Sequence, residues 1–153
     1  MCGANPRRAA GLRSSARCRS RGGPPISQRP LKHVLIVEDD AFLRKACRDG
    51  LQRDGHDVSA ATDGEEALQQ VLTSRPDVII LDWLLPKLPG VAVLRALKAD
   101  ARCRNIPVLV LSNSTRDEDR TVALDLGAAG YLVKADLRLT DLRRRIKELL
   151  GTC

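Results

Sequence analysis

Hydrophobic and polar positions follow two alternating spacings along this chain, from about residue 31 to residue 150. Five short apolar runs, typical of buried strands, lie at residues 33–37, 57–60, 77–83, 107–112 and 130–133. The second run is weak evidence, because alternation over four residues says little. After each run, apolar residues recur every three or four positions, as on one face of a helix. The pattern therefore predicts five strand–helix units in succession.

Capping and helix-breaking residues fall where such units should begin and end. Gly64 precedes the second predicted helix, Pro76 ends it, and Gly90 opens the third. Asp40 and Thr140 are predicted N-caps of the first and fifth helices. Near-continuous apolar strands indicate a parallel sheet covered on both faces. With right-handed crossovers, the predicted fold is a doubly wound, five-stranded α/β/α sandwich of three layers.

Length and composition restrict the class of protein. A chain of 153 residues is long enough for one domain with its own hydrophobic core. No apolar run approaches the roughly 20 residues that span a bilayer. We therefore expect a soluble, cytoplasmic protein without a membrane partner, with its folded domain over residues 31–151. The five cysteines are scattered and form no C-x-x-C pair, so reduced thiols are expected.

The net charge of +7 arises entirely from the first 30 residues. Residues 1–30 hold seven Arg, no Lys and no acidic residue, whereas residues 31–153 hold 19 basic and 19 acidic side chains. The first segment has almost no large apolar residue, which predicts a disordered basic leader. An organelle transit peptide and a nucleic-acid-binding arm remain alternatives. The neutral folded domain itself gives no reason to expect nucleic-acid binding.

Reactive side chains follow four of the five predicted strands. In chain order the strands end at Glu38-Asp39-Asp40, then at Asp82, at Ser112 and at Lys134. Ligand sites in doubly wound sheets lie at the carboxyl ends of the strands. If the strand order is 2-1-3-4-5, Asp39 and Asp82 stand on neighbouring strands about 4.8 Å apart. Clustered carboxylates suit a hard, oxygen-loving cation such as Mg²⁺.

The same edge is suited to phosphoryl transfer. Lys134 is predicted to extend over two strands towards Asp82, and Ser112 would offer a hydroxyl to the same place. A carboxylate beside Mg²⁺, an ammonium and a hydroxyl can attack a phosphoryl group while its charge is neutralised. The predicted product is an aspartyl phosphate at Asp82.

These residues resemble the receiver domain of two-component response regulators, over about residues 31–150. The matching motifs are V-E-D-D at 37–40, L-D-W-L-L-P at 81–86, L-S at 111–112 and Y-L-V-K at 131–134. The resemblance is to a stand-alone receiver of the chemotaxis type, which implies the flavodoxin-like fold. Because the chain stops soon after its last predicted helix, we expect output through contact with another protein.

The resemblance also implies a role for each site residue. Asp82 would be the phosphoacceptor, and Mg²⁺ would be bound by Glu38, Asp39, Asp82 and the backbone carbonyl of Leu84. The switch residues would be Ser112, Tyr131 and the phosphate-sensing Lys134. On phosphorylation Tyr131 is expected to turn inward as Ser112 moves towards the phosphoryl group.

The expected partners follow from the same resemblance. A sensor histidine kinase or phosphotransfer protein would supply the phosphoryl group, and a downstream protein would read the face formed by the fourth helix, fifth strand and fifth helix. The domain would be a switch, not a conventional enzyme. We expect a monomer, and dimerisation on phosphorylation stays open.

Three positions depart from the family pattern and leave an alternative open. Ala135 follows Lys134 where the family usually has proline, Asn113 replaces a small residue beside Ser112, and Pro89 replaces a common acidic residue. A docking module that works without phosphorylation is therefore a second hypothesis. A haloacid-dehalogenase-type phosphatase would need an acidic residue where Leu84 stands, and a dinucleotide-binding enzyme would need a G-x-G-x-x-G motif after the first strand.

Overall fold

Five strands alternate with five α-helices in the computed structural model, which describes residues 32–151. The strands are β1 (His33–Val37), β2 (Asp57–Ala61), β3 (Val78–Asp82), β4 (Val108–Ser112) and β5 (Gly130–Val133). The helices are α1 (Ala41–Arg53), α2 (Gly64–Ser74), α3 (Gly90–Ala99), α4 (Asp117–Asp125) and α5 (Leu139–Leu150), and a single 3-10 turn, Lys134–Asp136, follows β5 directly. The predicted leader, residues 1–30, lies outside the described residues.

All five strands pair in parallel, in the order β2-β1-β3-β4-β5. This order confirms the predicted 2-1-3-4-5 arrangement. In the centre of the sheet Val37 of β1 is level with Leu81 of β3, and Asp82 is level with Leu111 of β4. The carboxyl ends of the three central strands therefore meet at one edge.

Alternate strand residues enter two separate hydrophobic clusters, one on each face of the sheet. Leu35 and Ile79 belong to the cluster that also contains Leu94 of α3. Ile36 and Ile80 belong to the opposite cluster, with residues of α1 and α5. Because both faces are covered, the three central strands β1, β3 and β4 are almost entirely buried, which explains their near-continuous apolar runs. The three-layer sandwich is thus confirmed.

The predicted helix starts are right for α1 and wrong for α5. Asp40 caps α1, because its Oδ1 accepts the backbone N–H of Phe42 at 3.0 Å. Thr140 instead lies inside the first turn of α5. The carbonyl of Arg138 already accepts the N–H of Leu142 at 3.1 Å, so helical bonding begins before Thr140 is reached.

Two further expectations concern the cysteines and membranes. Cys47 and Cys103 are buried free thiols, and burial raises the pKa of Cys47 to about 11. Burial and this raised pKa disfavour the reactive thiolate form of Cys47. The other three cysteines lie outside the described residues. Among residues 32–151, no helix combines the length and the apolar character needed to cross a membrane.

Candidate functional site

Three carboxylates come together where β1 and β3 end. Oxygens of Glu38, Asp39 and Asp82 all lie within 4.8 Å of one another. Glu38 is 1% exposed and Asp82 is 3% exposed, whereas Asp39 is exposed to solvent. The cluster is therefore buried in the sheet edge and meets solvent through Asp39. The structure thus brings together the three side chains predicted to bind metal.

Lys134 extends to this cluster from the 3-10 turn after β5. Its Nζ lies 2.8 Å from Glu38 Oε1 and 3.1 Å from Asp82 Oδ1. Burial of Lys134 opposes its charge, but the hydrogen bonds to Glu38 and Asp82 outweigh that effect and raise its pKa. The ammonium therefore stays charged beside Asp82.

Glu38 is held by hydrogen bonds to both its side chain and its backbone. The carboxylate Oε2 accepts the backbone N–H of Asp40 at 3.2 Å, and the backbone carbonyl of Glu38 accepts an N–H of Arg44 Nη1 at 2.8 Å. Burial and the hydrogen bond to Asp82 raise the pKa of Glu38 to about 7, although Lys134 acts in the opposite direction. Two carboxylates this close resist joint ionisation, and a divalent cation would remove that penalty. The donor set and its charge therefore fit magnesium.

The loop after β3 folds back tightly on Asp82. The backbone N–H of Leu84 donates to Asp82 Oδ1 at 3.2 Å, which places the Leu84 backbone beside the carboxylate. A Cβ added at Gly90 would lie 2.5 Å from the Asp82 carbonyl oxygen and 2.8 Å from Trp83 Cα. The sequence indicates Gly90 as the start of α3 and as a residue that matches the family, but no sequence pattern indicates its close approach to the end of β3.

The predicted switch residues lie on the neighbouring strands. Ser112 is buried at the end of β4, and its Oγ accepts the N–H of Ser114 at 3.0 Å. Tyr131 on β5 is 5% exposed, and its hydroxyl donates to the Ser114 carbonyl at 3.0 Å. The ring is therefore already turned inward without a phosphoryl group, contrary to the expectation that it turns inward only on phosphorylation. The guanidinium of Arg120 lies 5.0 Å from the centre of the Tyr131 ring. The sequence places Ser114 in the polar run at residues 112–115 after β4 without indicating a role of its own, and no motif or periodicity points to Arg120.

Ala135, where the sequence departs from the family, lies in the 3-10 turn beside the site. All peptide bonds among the described residues are trans, including Lys134–Ala135, as expected without proline there. Lys134 still reaches both carboxylates from this turn. The replacement therefore does not remove the ammonium from the acidic cluster.

An acidic cluster joined by a lysine at the carboxyl edge of a doubly wound sheet defines a class of phosphate-handling domains, and comparison with known proteins identifies the family. Residues 34–147 match the response regulator receiver domain, and the chain belongs to this family. The predicted family is confirmed.

Three similar proteins illustrate the relationship. Over 117 residues the chain is 43% identical to the transcriptional regulatory protein PrrA of Mycobacterium leprae, covering 76% of this chain and 49% of PrrA. The chain spans about half the length of the curated relatives it matches. The chemotaxis response regulator CheY4 of Vibrio cholerae has a TM-score of 0.74 at 30% identity, covering 79% of this chain and 100% of CheY4.

The third similar protein is the receiver domain of the sensor histidine kinase PA1611 from Pseudomonas aeruginosa PAO1. It has a TM-score of 0.72 at 27% identity, covering 80% of this chain and 99% of that domain, and its structure contains a magnesium ion in the active-site cleft. Receiver domains of two-component systems are phosphoacceptor switches that interact with histidine kinases or phosphotransfer proteins, and they typically bind Mg²⁺ at their acidic site.

Proposed function

We propose that this chain accepts a phosphoryl group on Asp82, in a magnesium-dependent reaction, from a histidine kinase or a phosphotransfer protein. The observation that carries the proposal is the placement of a buried Asp82 within 3.1 Å of the Lys134 ammonium and within the three-carboxylate cluster. A structural ion pair alone would not need the second and third carboxylates at the same edge. A phosphoacceptor needs both the nucleophile and the cation ligands.

Magnesium would be bound by the carboxylates of Glu38, Asp39 and Asp82, with the Leu84 carbonyl as a further ligand. When bound, the ion neutralises charge on the oxygens of the transferring phosphoryl group. Glu38 and Asp82 are fixed by the surrounding hydrogen bonds, so these two ligands are preorganised.

The transfer step follows from the positions of Asp82 and Lys134. A carboxylate oxygen of Asp82 attacks phosphorus, and the new P–O bond forms as the bond to the donor nitrogen breaks. The electron pair of that bond passes to the imidazole of the donor histidine. Lys134 shifts from its carboxylate partners to bind an oxygen of the phosphoryl group, which carries close to two negative charges.

The output step involves the β4 and β5 ends. Ser112 donates its hydroxyl to the phosphoryl group, and the α4-β5-α5 face with Tyr131 changes shape for a downstream protein. Support comes from the position of Ser112, which ends the strand between those of Asp82 and Lys134. Tyr131 is connected to Ser112 through a single residue, Ser114.

Intact-protein mass after incubation with Mg²⁺ and a small phosphodonor tests the function. We expect one added phosphoryl group that requires Mg²⁺, is labile to alkali and is absent from Asp82→Ala. Asp136→Ala is the matched control, because it removes an exposed carboxylate from the 3-10 turn near the site. If wild type binds Mg²⁺ and gains no mass with several donors, the proposal is wrong and the alternative of a phosphorylation-independent docking module gains support.

A further inference from the structure

Ser114 contacts three parts of the molecule at once. It lies in the loop between β4 and α4, and its N–H donates to Ser112 Oγ at 3.0 Å. Its carbonyl accepts the Tyr131 hydroxyl at 3.0 Å. Its own hydroxyl donates to the Asp119 carboxylate and accepts the N–H of Arg116 at 3.1 Å. One residue therefore joins the end of β4, the β5 tyrosine and the first turn of α4.

The Ser114 hydroxyl supplies a cap that α4 otherwise lacks. Arg116 occupies the N-cap position and makes no side-chain capping bond, and Ala123 is the one buried residue of this helix. The Ser114 hydroxyl accepts the N–H of Arg116, the N-cap residue, and donates to the carboxylate of Asp119, three positions after the N-cap. It therefore satisfies one N–H at the helix start, which is half of what a capping box does. Because α4 has so little buried apolar surface, these polar contacts contribute much of what positions its first turn.

Arg120 holds the Tyr131 ring from the side of α4. Its guanidinium lies over the ring at 5.0 Å from the centroid, a distance at which a cation is attracted to the ring face. Its Nη1 also approaches the Tyr131 carbonyl at 3.5 Å. The ring is thus held by the Ser114 carbonyl at its hydroxyl and by Arg120 over its face.

We propose that Ser114 is the residue that couples the switch hydroxyl to helix α4. Its main-chain contacts with Ser112 and Tyr131 belong to the switch already proposed, and the new element is its hydroxyl, which joins this loop to Arg116 and Asp119. None of these contacts involves Asp82, so they hold Tyr131 buried before any phosphoryl transfer. When Ser112 turns to a phosphoryl group, the Ser114 N–H loses its acceptor, and the loop and the α4 cap respond together. That last step rests on the proposed function, whereas the resting contacts do not.

Tyr131 is the only tyrosine in the chain, which allows a direct test. Protein labelled with 3-fluorotyrosine gives a single ¹⁹F NMR resonance that reports the surroundings of this ring. In buffer without Mg²⁺ or phosphodonor, we expect wild type to show a buried ring with a small H₂O/D₂O isotope shift. Ser114→Ala should shift the resonance towards the solvent-exposed position or add a second, exposed resonance. Thr115→Ala, which removes the exposed hydroxyl of the next residue, should match wild type.

Arg120→Met provides a second test that leaves the loop sequence intact. It keeps a long apolar side chain and removes the cation, so we expect a change of the Tyr131 resonance in the same direction as in Ser114→Ala. The coupling proposal is overturned if Ser114→Ala leaves the resonance unchanged, or if wild type already shows an exposed ring. A folded far-ultraviolet circular dichroism spectrum for each variant separates these outcomes from unfolding.

A second stage separates this proposal from the proposed function. Mg²⁺ and beryllium fluoride, which mimics a phosphoryl group on a carboxylate, are added to each protein. We expect a shift of the Tyr131 resonance in wild type and in Thr115→Ala, and the loss of most of that shift in Ser114→Ala. If no protein responds, wild type included, the phosphoacceptor proposal fails, and the resting spectra still decide the role of Ser114.

Discussion

Glu38, Asp82 and Lys134 form a buried group of two carboxylates and one ammonium. Isolated charges are costly to bury, so this group is stable because each member has a charged or hydrogen-bonding partner. One ammonium cannot neutralise two carboxylates and the adjacent Asp39. On the proposed function, the remaining negative charge at the site would attract a divalent cation, and Lys134 would compete with that cation for the same oxygens.

Replacing Lys134 should therefore strengthen magnesium binding. We expect Lys134→Met to lower the Mg²⁺ Kd by about tenfold, because a positive charge within 3.1 Å of a ligand carboxylate is removed. Isothermal titration calorimetry measures the change. Lys45→Met, at a lysine whose side chain is 75% exposed, should leave the Kd unchanged. Weaker binding by Lys134→Met would mean that the ammonium organises the carboxylates more than it competes for them.

Gly90 packs against the backbone at the end of β3, so that any side chain at this position would disturb the backbone that positions Asp82. An added Cβ would meet only backbone atoms of Asp82 and Trp83, at 2.5 to 2.9 Å, so β3 or the loop has to move. We expect Gly90→Ala to destabilise the fold by about 1–3 kcal/mol and to weaken Mg²⁺ binding.

Gly50→Ala is the matched control for Gly90→Ala. Its Cβ would meet only the flexible side chain of Leu139, at 3.0 Å. Urea unfolding and a Mg²⁺ titration of both variants check the prediction. Equal effects of the two substitutions would contradict a specific role of the close contact at Gly90.

Among the helices, α1 and α5 are joined by an ion pair between distant parts of the sequence. Nε of Arg143 donates to Asp54 Oδ2 at 2.8 Å, and Asp54 is the C-cap residue of α1. The neighbouring arginines of α5 pair within their own helix, Arg144 with Asp141 and Arg145 with Glu148. The basic run of α5 is therefore largely neutralised, and only Arg143 among these three connects two helices.

Removing this connection should lower stability in a pH-dependent way. We expect Arg143→Ala to lower Tm by a few degrees at neutral pH and Arg144→Ala to have almost no effect. The hydrogen bond from Arg143 holds the pKa of Asp54 below 3.8, with smaller contributions from Lys147 and His56. A carboxylate with a lowered pKa stabilises the fold above its unfolded pKa, and that stabilisation is lost as pH falls through its folded pKa.

The Tm difference between wild type and Arg143→Ala should therefore stay constant over roughly pH 5 to 8 and shrink as pH falls below 3.8. Differential scanning calorimetry over this range measures it. A difference that grows on acidification would show that Asp54 is not the partner through which Arg143 stabilises the fold.

In the molecule as a whole, the proposed magnesium binding would be linked to folding, because the three carboxylates meet only when β1 and β3 pair. Magnesium at 100 times its Kd should stabilise the folded chain by about 2.7 kcal/mol, and a chelator should abolish the gain. Asp39→Asn should lose most of this stabilisation. Asp40→Asn should keep it, since Asp40 caps α1 and asparagine caps equally well. Thermal unfolding with and without Mg²⁺ tests this, and an undiminished gain in Asp39→Asn would exclude Asp39 as a ligand.

The sequence by itself determined the order of the elements and the residue types at the sheet edge. Apolar periodicity depends on neighbours within a few positions, so the five strands and their helices could be predicted, including the weak run that became β2. The parallel arrangement then placed Asp39, Asp82 and Lys134 together, because the ends of parallel strands meet at one edge.

Tertiary structure alone decided how these groups interact. The pKa of Glu38 depends on its burial and on Asp82, which comes from another strand. The contact of Gly90 with the Asp82 carbonyl and the bond from Tyr131 to Ser114 depend on distances between atoms that are far apart in sequence. No periodicity encodes such distances, because they result from the packing of whole elements. The residue types of the site could therefore be predicted from the sequence, whereas its electrostatics and the contacts of Ser114 and Gly90 could not.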